Sequence, residues 1–162
     1  MITYHFAQTA ELDQIMAIEN QGFTPEEAAT RPSMAERIEK ISDTFIVASE
    51  GHRVLGYVVG PASNDRYIAD DLFTHLDANR STDRYQTVLS LVVEKAAQGR
   101  GIASRLLSEL AKVAKQQHRE AITLTCLKAL VPFYEKNGYA NEGVSASSHA
   151  GETWYNMVLE LK

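Results

Sequence analysis

The chain is 162 residues long, 44% apolar and 23% charged, the length and balance of one ordinary globular domain, here expected to span residues 1–162. Folding buries roughly 70% of the unfolded surface at this size, which excludes a disordered polymer, a collagen-like fibre and a disulfide-stapled miniprotein. Lys and Arg number 16 against 21 Asp and Glu, for a net charge of −5, and no basic run offers the stripe that a nucleic-acid backbone requires, so nucleic acid is not an expected partner.

Residues 2–6 read as a short strand. Thr9 then looks like an N-cap, followed by Leu12, Ile15 and Met16 at helical spacing. Thr24-Pro25-Glu26-Glu27 and Ser33-Met34-Ala35-Glu36 both read as helix starts with a capping box, and Met34, Ile38 and Ile41 give the second helix its buried stripe. Two short helices over 25–41 are expected, because Pro32 biases Arg31 away from helical geometry. Residues 45–48 and 54–59 are apolar runs around the turn 50–53 and predict an antiparallel hairpin. A polar loop fills 61–83, a length that implies function or mobility. One strand is expected over 85–93, an amphipathic helix from Ile102 to His118, a strand over 122–126 and a short helix over 130–136 stopped by Asn137-Gly138. Two strands, 139–144 and 154–161, close the chain. The order β-α-α-β-β-β-α-β-α-β-β places it in the α/β class, with a mixed sheet carrying helices on its faces.

The run Val88–Val93 is far short of the ~20 apolar residues that span a bilayer, so no membrane association is expected. Residues 1–5 lack the basic and apolar regions of a secretory signal. Cys126 is the one cysteine, so no intrachain disulfide can form and a reducing cytoplasm is the expected compartment.

The segment Gln98-Gly99-Arg100-Gly101-Ile102-Ala103 lies between an apolar strand and an amphipathic helix. Two glycines allow a tight turn that exposes consecutive N–H groups, and the helix end adds its positive dipole, so the loop suits a pyrophosphate. On the loop alone, an ordinary strand-to-helix turn stays open. A dinucleotide fingerprint needs Gly or Ala where Ser104 stands, and the P-loop lysine is absent.

The stretch from Leu91 to Leu107 resembles the acetyl-CoA motif of the GNAT superfamily of N-acetyltransferases, with Gln98, Gly101 and Ala103 meeting its Q/R-x-x-G-x-G/A core. A second block, from Leu130 to Tyr139, resembles the family's later helix-strand motif. With Cys126 and Ala129 it is similar to arylalkylamine N-acetyltransferases. The resemblance implies the GNAT acyl-CoA N-acyltransferase fold and acetyl-CoA as cosubstrate, without a metal. It also implies a small-molecule primary amine as acceptor, in a ternary complex, and it leaves room for a homodimer. Backbone groups of Leu91, Val92 and Val93 would hold the pantetheine arm as another strand would, and Gln98, Gly99, Arg100, Gly101, Ile102, Ala103 and Ser104 would form the pyrophosphate cradle. A backbone N–H near Leu91 would polarise the thioester carbonyl. Tyr134 would protonate the departing thiolate, since a phenol of pKa ~10 stays protonated at neutral pH and can donate to a thiolate of pKa ~8.5; its alternative role is packing alone.

The general base has no obvious candidate. Arylalkylamine acetyltransferases carry two histidines on the strand before the loop, whereas the matching places here fall near Thr87 and Leu89. A water chain, His149 or Glu152 is left for the role, and a noncatalytic acyl-CoA sensor on the same fold is the rival reading. Phe23, Tyr85, Thr87, His149 and Trp154 are candidate acceptor-side residues, although isolated aromatics are more often core and a loop histidine is more often solvated. Cys126 sits in an apolar strand and reads as core. The histidines at 5, 52, 75, 118 and 149 show no metal-ligand spacing.

Overall fold

A computed structural model describes residues 1–73, 76–147 and 149–161, the His149 side chain excepted. Its strands are β1 (Ile2–Phe6), β2 (Phe45–Glu50), β3 (Arg53–Val59), β4 (Ala62–Ser63), β5 (Tyr85–Val88), β6 (Ser90–Val93), β7 (Ala121–Cys126), β8 (Ala140–Val144) and β9 (Tyr155–Glu160). The helices are α1 (Leu12–Gly22), α2 (Arg31–Lys40), α3 (Ile102–Gln116) and α4 (Val131–Lys136). They build two sheets, in the orders β1-β2-β3-β6 and β4-β5-β7-β9-β8. The β5–β7 pair is parallel and the other pairs are antiparallel, so the architecture is the expected α/β arrangement.

The hairpin β2–β3 reads as continuous apolar sequence because both of its faces are covered. Ile46, Ala48 and Val58 pack with Ile102, Leu106 and Leu110 of α3. Phe45, Val47 and Tyr57 face the other way and pack with Ile15 and Ile18 of α1 and with Met34 and Ile38 of α2. The alternation along β2 therefore separates two cores rather than a core from solvent.

Four local expectations need correction. Thr9 does not cap α1: it opens a 3-10 turn, Thr9–Glu11, behind Gln8, whose N–H donates to Glu11 Oε1 at 2.9 Å. At Thr24 half of the capping box forms: the Thr24 N–H donates to Glu27 Oε1 at 3.0 Å, but the Thr24 hydroxyl donates to that same oxygen at 3.0 Å while the Glu27 N–H bonds to Thr24 O at 2.9 Å. Only a turn follows, since residues 25–30 carry no apolar stripe whose burial would stabilise further helix. Helix α2 starts two residues before Ser33, behind Thr30, whose hydroxyl oxygen accepts from the Ser33 N–H at 3.3 Å. Pro32 falls in the first turn, where its missing N–H is no loss. The fourth correction concerns 85–93, which is two strands in two different sheets.

Candidate active site

The division at Leu89 creates the site. Tyr85 to Val88 pair in parallel with Ala121 to Leu124 of β7, whereas Ser90 to Val93 pair with Val59 to Gly56 of β3. The Gly60-Pro61 segment turns the chain at this point. Pro61 O accepts from the Thr87 N–H at 3.1 Å and from the Thr87 hydroxyl at 2.6 Å. Gly60 O accepts from the Gln86 side-chain amide at 2.7 Å, and Leu89 N–H returns to Val59 O at 2.8 Å. Past Leu89, β6 becomes the edge of its sheet, so alternate backbone N–H and C=O groups along it face the gap left beside the end of β7.

A cavity of about 160 Å³ opens in this gap, with Leu89 and Leu91 on one wall and Leu124, Cys126 and Tyr134 on the other. Tyr134 comes from α4, which is pinned by Pro132 in its first turn. Its ring is held edge-on between Phe133, at a centroid distance of 5.1 Å, and Tyr139, at 5.6 Å. Burial, and next the neighbouring Cys126 thiol, push the Tyr134 hydroxyl well above the usual phenol range. Burial likewise pushes the Cys126 thiol up, to about 11. Both groups are protonated at neutral pH. A neutral phenol in a largely apolar cavity is suited to donating a proton to a charge that develops there.

The glycine loop lies past the far end of β6. Gly99 and Gly101 have φ of +84° and +75°, the left-handed region that glycine enters without strain. Gly101 is the N-cap of α3 and no side chain caps the helix, leaving its first N–H groups available to an anion. No atom lies within 4 Å of where a Cβ would stand at either glycine, so a bulky phosphate has room to approach. An apolar gap beside a strand edge and an uncapped helix start fit the pantetheine arm and the pyrophosphate of acetyl-CoA. Gln98 is exposed and its amide bonds back to Val93 O at 3.2 Å, while Arg100 reaches Glu50 at 3.3 Å.

Of the other residues singled out in the sequence, Leu91, Tyr134, Phe23 and Trp154 meet at the cavity. Val92 is buried on the α1 side, with its Cγ1 2.6 Å from where a Cβ on Gly22 would stand. Val93 is half-buried on the opposite face. Tyr85 and Thr87 do not line the cavity: Tyr85 packs with Ala121 and Val158, and Thr87 is fully buried. The side chain of His149 lies outside the described residues. Among the described residues no three His, Cys, Asp or Glu side chains converge on a metal position, and no helix is long and apolar enough to cross a membrane.

The structure adds acidic residues that the sequence reading passed over. Glu27, read only as a capping residue, lines this cavity and also a second one beyond Leu89. Desolvation, and next the neighbouring Glu27 carboxylate, raise Glu152. Glu19 is 1% exposed and accepts from the Tyr57 hydroxyl at 2.5 Å, the Ala29 N–H at 2.8 Å and the Ser90 hydroxyl at 3.4 Å. Its signal was its place seven residues after Leu12 on the buried stripe of α1, where a carboxylate needs partners.

The family described as acetyltransferase (GNAT) domain matches residues 11–161. Comparison with curated protein sequences finds no significant match. Among solved structures, the loading GNATL domain of CurA from Lyngbya majuscula is similar at 12% identity and TM-score 0.85, with 99% of this chain and 98% of that one covered. Ard1 from Thermoplasma volcanium is similar at 15% identity and TM-score 0.79, covering 99% and 98%. A third is yncA from Salmonella typhimurium, a protein described as an acetyltransferase and solved with acetyl-CoA; it shares 17% identity at TM-score 0.73, over 100% and 95%. At these identities the likeness is one of fold.

Proposed function

The chain belongs to the GNAT acetyltransferase family, and from that premise we propose that it moves an acetyl group from acetyl-CoA directly to a primary amine of a small molecule. The observation that carries this reading is Tyr134, a protonated phenol at the wall of the gap between β6 and β7. Acetyl-CoA supplies an activated thioester. Backbone groups along β6 orient the pantetheine arm, the Gly99–Ser104 amides hold the pyrophosphate, and an N–H near Leu91 polarises the carbonyl. Tyr134 donates its proton to the departing sulfur, and the amine's proton leaves toward the Glu27 and Glu152 carboxylates, directly or through water. No acyl-enzyme is required, because Cys126, the nearest nucleophile, is held as a neutral thiol.

An arylalkylamine acceptor remains the finer reading, supported by the block from Leu130 to Tyr139 and by Phe23, Phe73 and Trp154 at the cavity. Thr87 and Leu89 stand where histidines would, and the buried Thr87 hydroxyl is occupied by Pro61 O. Base catalysis in this chain therefore falls to the carboxylates rather than to that strand. A reducing cytoplasm suits the lone buried Cys126. The test is CoA release across a panel of primary amines with acetyl-CoA; release with at least one amine is expected, and none with any amine overturns the proposal.

A further inference from the structure

Beyond Leu89 lies a second cavity, of about 170 Å³, which shares Leu89, Phe73 and Glu27 with the first. Arg37 of α2 lines it. Its position, three residues after Met34 and one before Ile38, is a core position of the helix, and the side chain is 3% exposed. A guanidinium has five N–H donors. Among the described residues Arg37 makes a single hydrogen bond, from Nη1 to Ser90 Oγ at 3.3 Å. Glu19, which lines the same cavity, offsets the Arg37 charge through space but takes its hydrogen bonds from Tyr57, Ala29 and Ser90. Among the described residues no Arg37 nitrogen is a sealed, partnerless atom, so the remaining donors open onto the cavity that Arg37 lines, where a ligand can accept from them.

Resting on the acetyltransferase reading, we propose that Arg37 is an acceptor-side anchor that takes the carboxylate of an amino-acid-type substrate whose amine enters the first cavity. The planar fork of a guanidinium matches a carboxylate with two parallel hydrogen bonds. The spacing fits one small molecule. Leu89 lines both cavities and Ser90 the second, with Leu91 in the first, so the guanidinium held on Ser90 stands where the two cavities meet. Glu27 lines both cavities and draws the ammonium, giving each end of a zwitterion a partner of opposite charge. Phe23 and Phe73 leave an apolar wall for a side chain such as a benzyl group.

The experiment compares phenylalanine, phenylalaninamide and phenethylamine as acceptors by CoA release, alongside calorimetric titration of phenylalanine into the CoA-saturated protein. Phenylalanine should exceed both analogues by about 10- to 100-fold in kcat/KM, the value of charge-assisted hydrogen bonds to a buried group. Arg37→Lys retains the charge beside Glu19 but loses the fork, and should collapse that ratio mainly through KM. If the variant fails to fold, the ratio in the parent still decides. Equal or better use of phenethylamine or of the amide, or no binding of phenylalanine, overturns the anchor while leaving the acetyltransferase reading intact. Phenylalanine bound but never acetylated, with no other amine accepted, upholds the anchor and overturns that reading instead.

Discussion

Tyr134→Phe removes one oxygen and leaves the ring. Its edge-on contacts with Phe133 and Tyr139 are carbon contacts that the variant keeps. Among the described residues the hydroxyl makes no hydrogen bond, and burial already holds it neutral. Folding therefore loses no internal bond, and the expected change in stability is within about 1 kcal/mol. Over 162 residues, an unfolding entropy of about 2.1 cal/mol/K per residue converts that to a Tm change of no more than about 3 °C. Catalysis should respond on another scale. A positioned acid contributes about 10²–10⁴-fold, or roughly 3–5 kcal/mol of barrier. Because the proton is needed only as charge grows on sulfur, the loss should appear in kcat rather than in the KM for acetyl-CoA. Steady-state CoA release with an accepted amine, run beside acetyl-CoA titration and a thermal melt of both proteins, separates the cases. A variant that turns over like the parent would show Tyr134 to be packing; a melt lowered by far more than 3 °C would refute the claim that the hydroxyl is structurally idle.

Acetyl-CoA at ~100 times its Kd should stabilise the protein by about 2.7 kcal/mol, with NADH and ATP doing much less; equal stabilisation by NADH contradicts the cradle. Gly101→Val forces a branched side chain into φ +75°, a strain of about 1–2 kcal/mol, and should also abolish the acetyl-CoA shift in a thermal melt. Gly60→Ala would set a Cβ 2.1 Å from Thr87 O, overpacking that should lower the urea midpoint by the equivalent of about 1–3 kcal/mol; an unchanged midpoint would mean that the Gly60–Thr87 contact does not hold the strands apart. Alkaline stability should fall, because the Cys126 thiol, pushed up to about 11 by burial, holds its proton more tightly folded than unfolded. Its contribution is complete below the ordinary thiol range and is lost as pH rises through 11. Tyr57, Tyr134 and Tyr139, all raised chiefly by burial, extend the loss above pH 10. A Tm that stays flat from pH 8 to 11 would contradict this.

The sequence by itself determined the elements whose signals are local. The apolar runs of β2 and β3, the stripe of α3, and the Asn137-Gly138 stop after α4 each state their own conformation through periodicity or turn chemistry. The glycines at 99 and 101 are equally legible, since a left-handed backbone between strand and helix asks for glycine whatever surrounds it. The division of 85–93 is different. Tyr85 to Val93 is uniformly strand-forming, and nothing in it marks Leu89; the break is imposed from outside, where Gly60 and Pro61 bind Gln86 and Thr87 and leave Ser90 to Val93 to β3. Thr24 to Glu27 shows the converse, a capping signal that forms only in half and lacks the buried face that would extend it. Arg37 and Glu19 sat in view as charges on buried stripes, but their meaning depended on which partners the packing supplied. Glu19 received three hydrogen-bond donors and Arg37 received one acceptor. That difference belongs to the tertiary structure, because a hydrogen bond between residues 53 positions apart, Arg37 and Ser90, has no local signature in the chain.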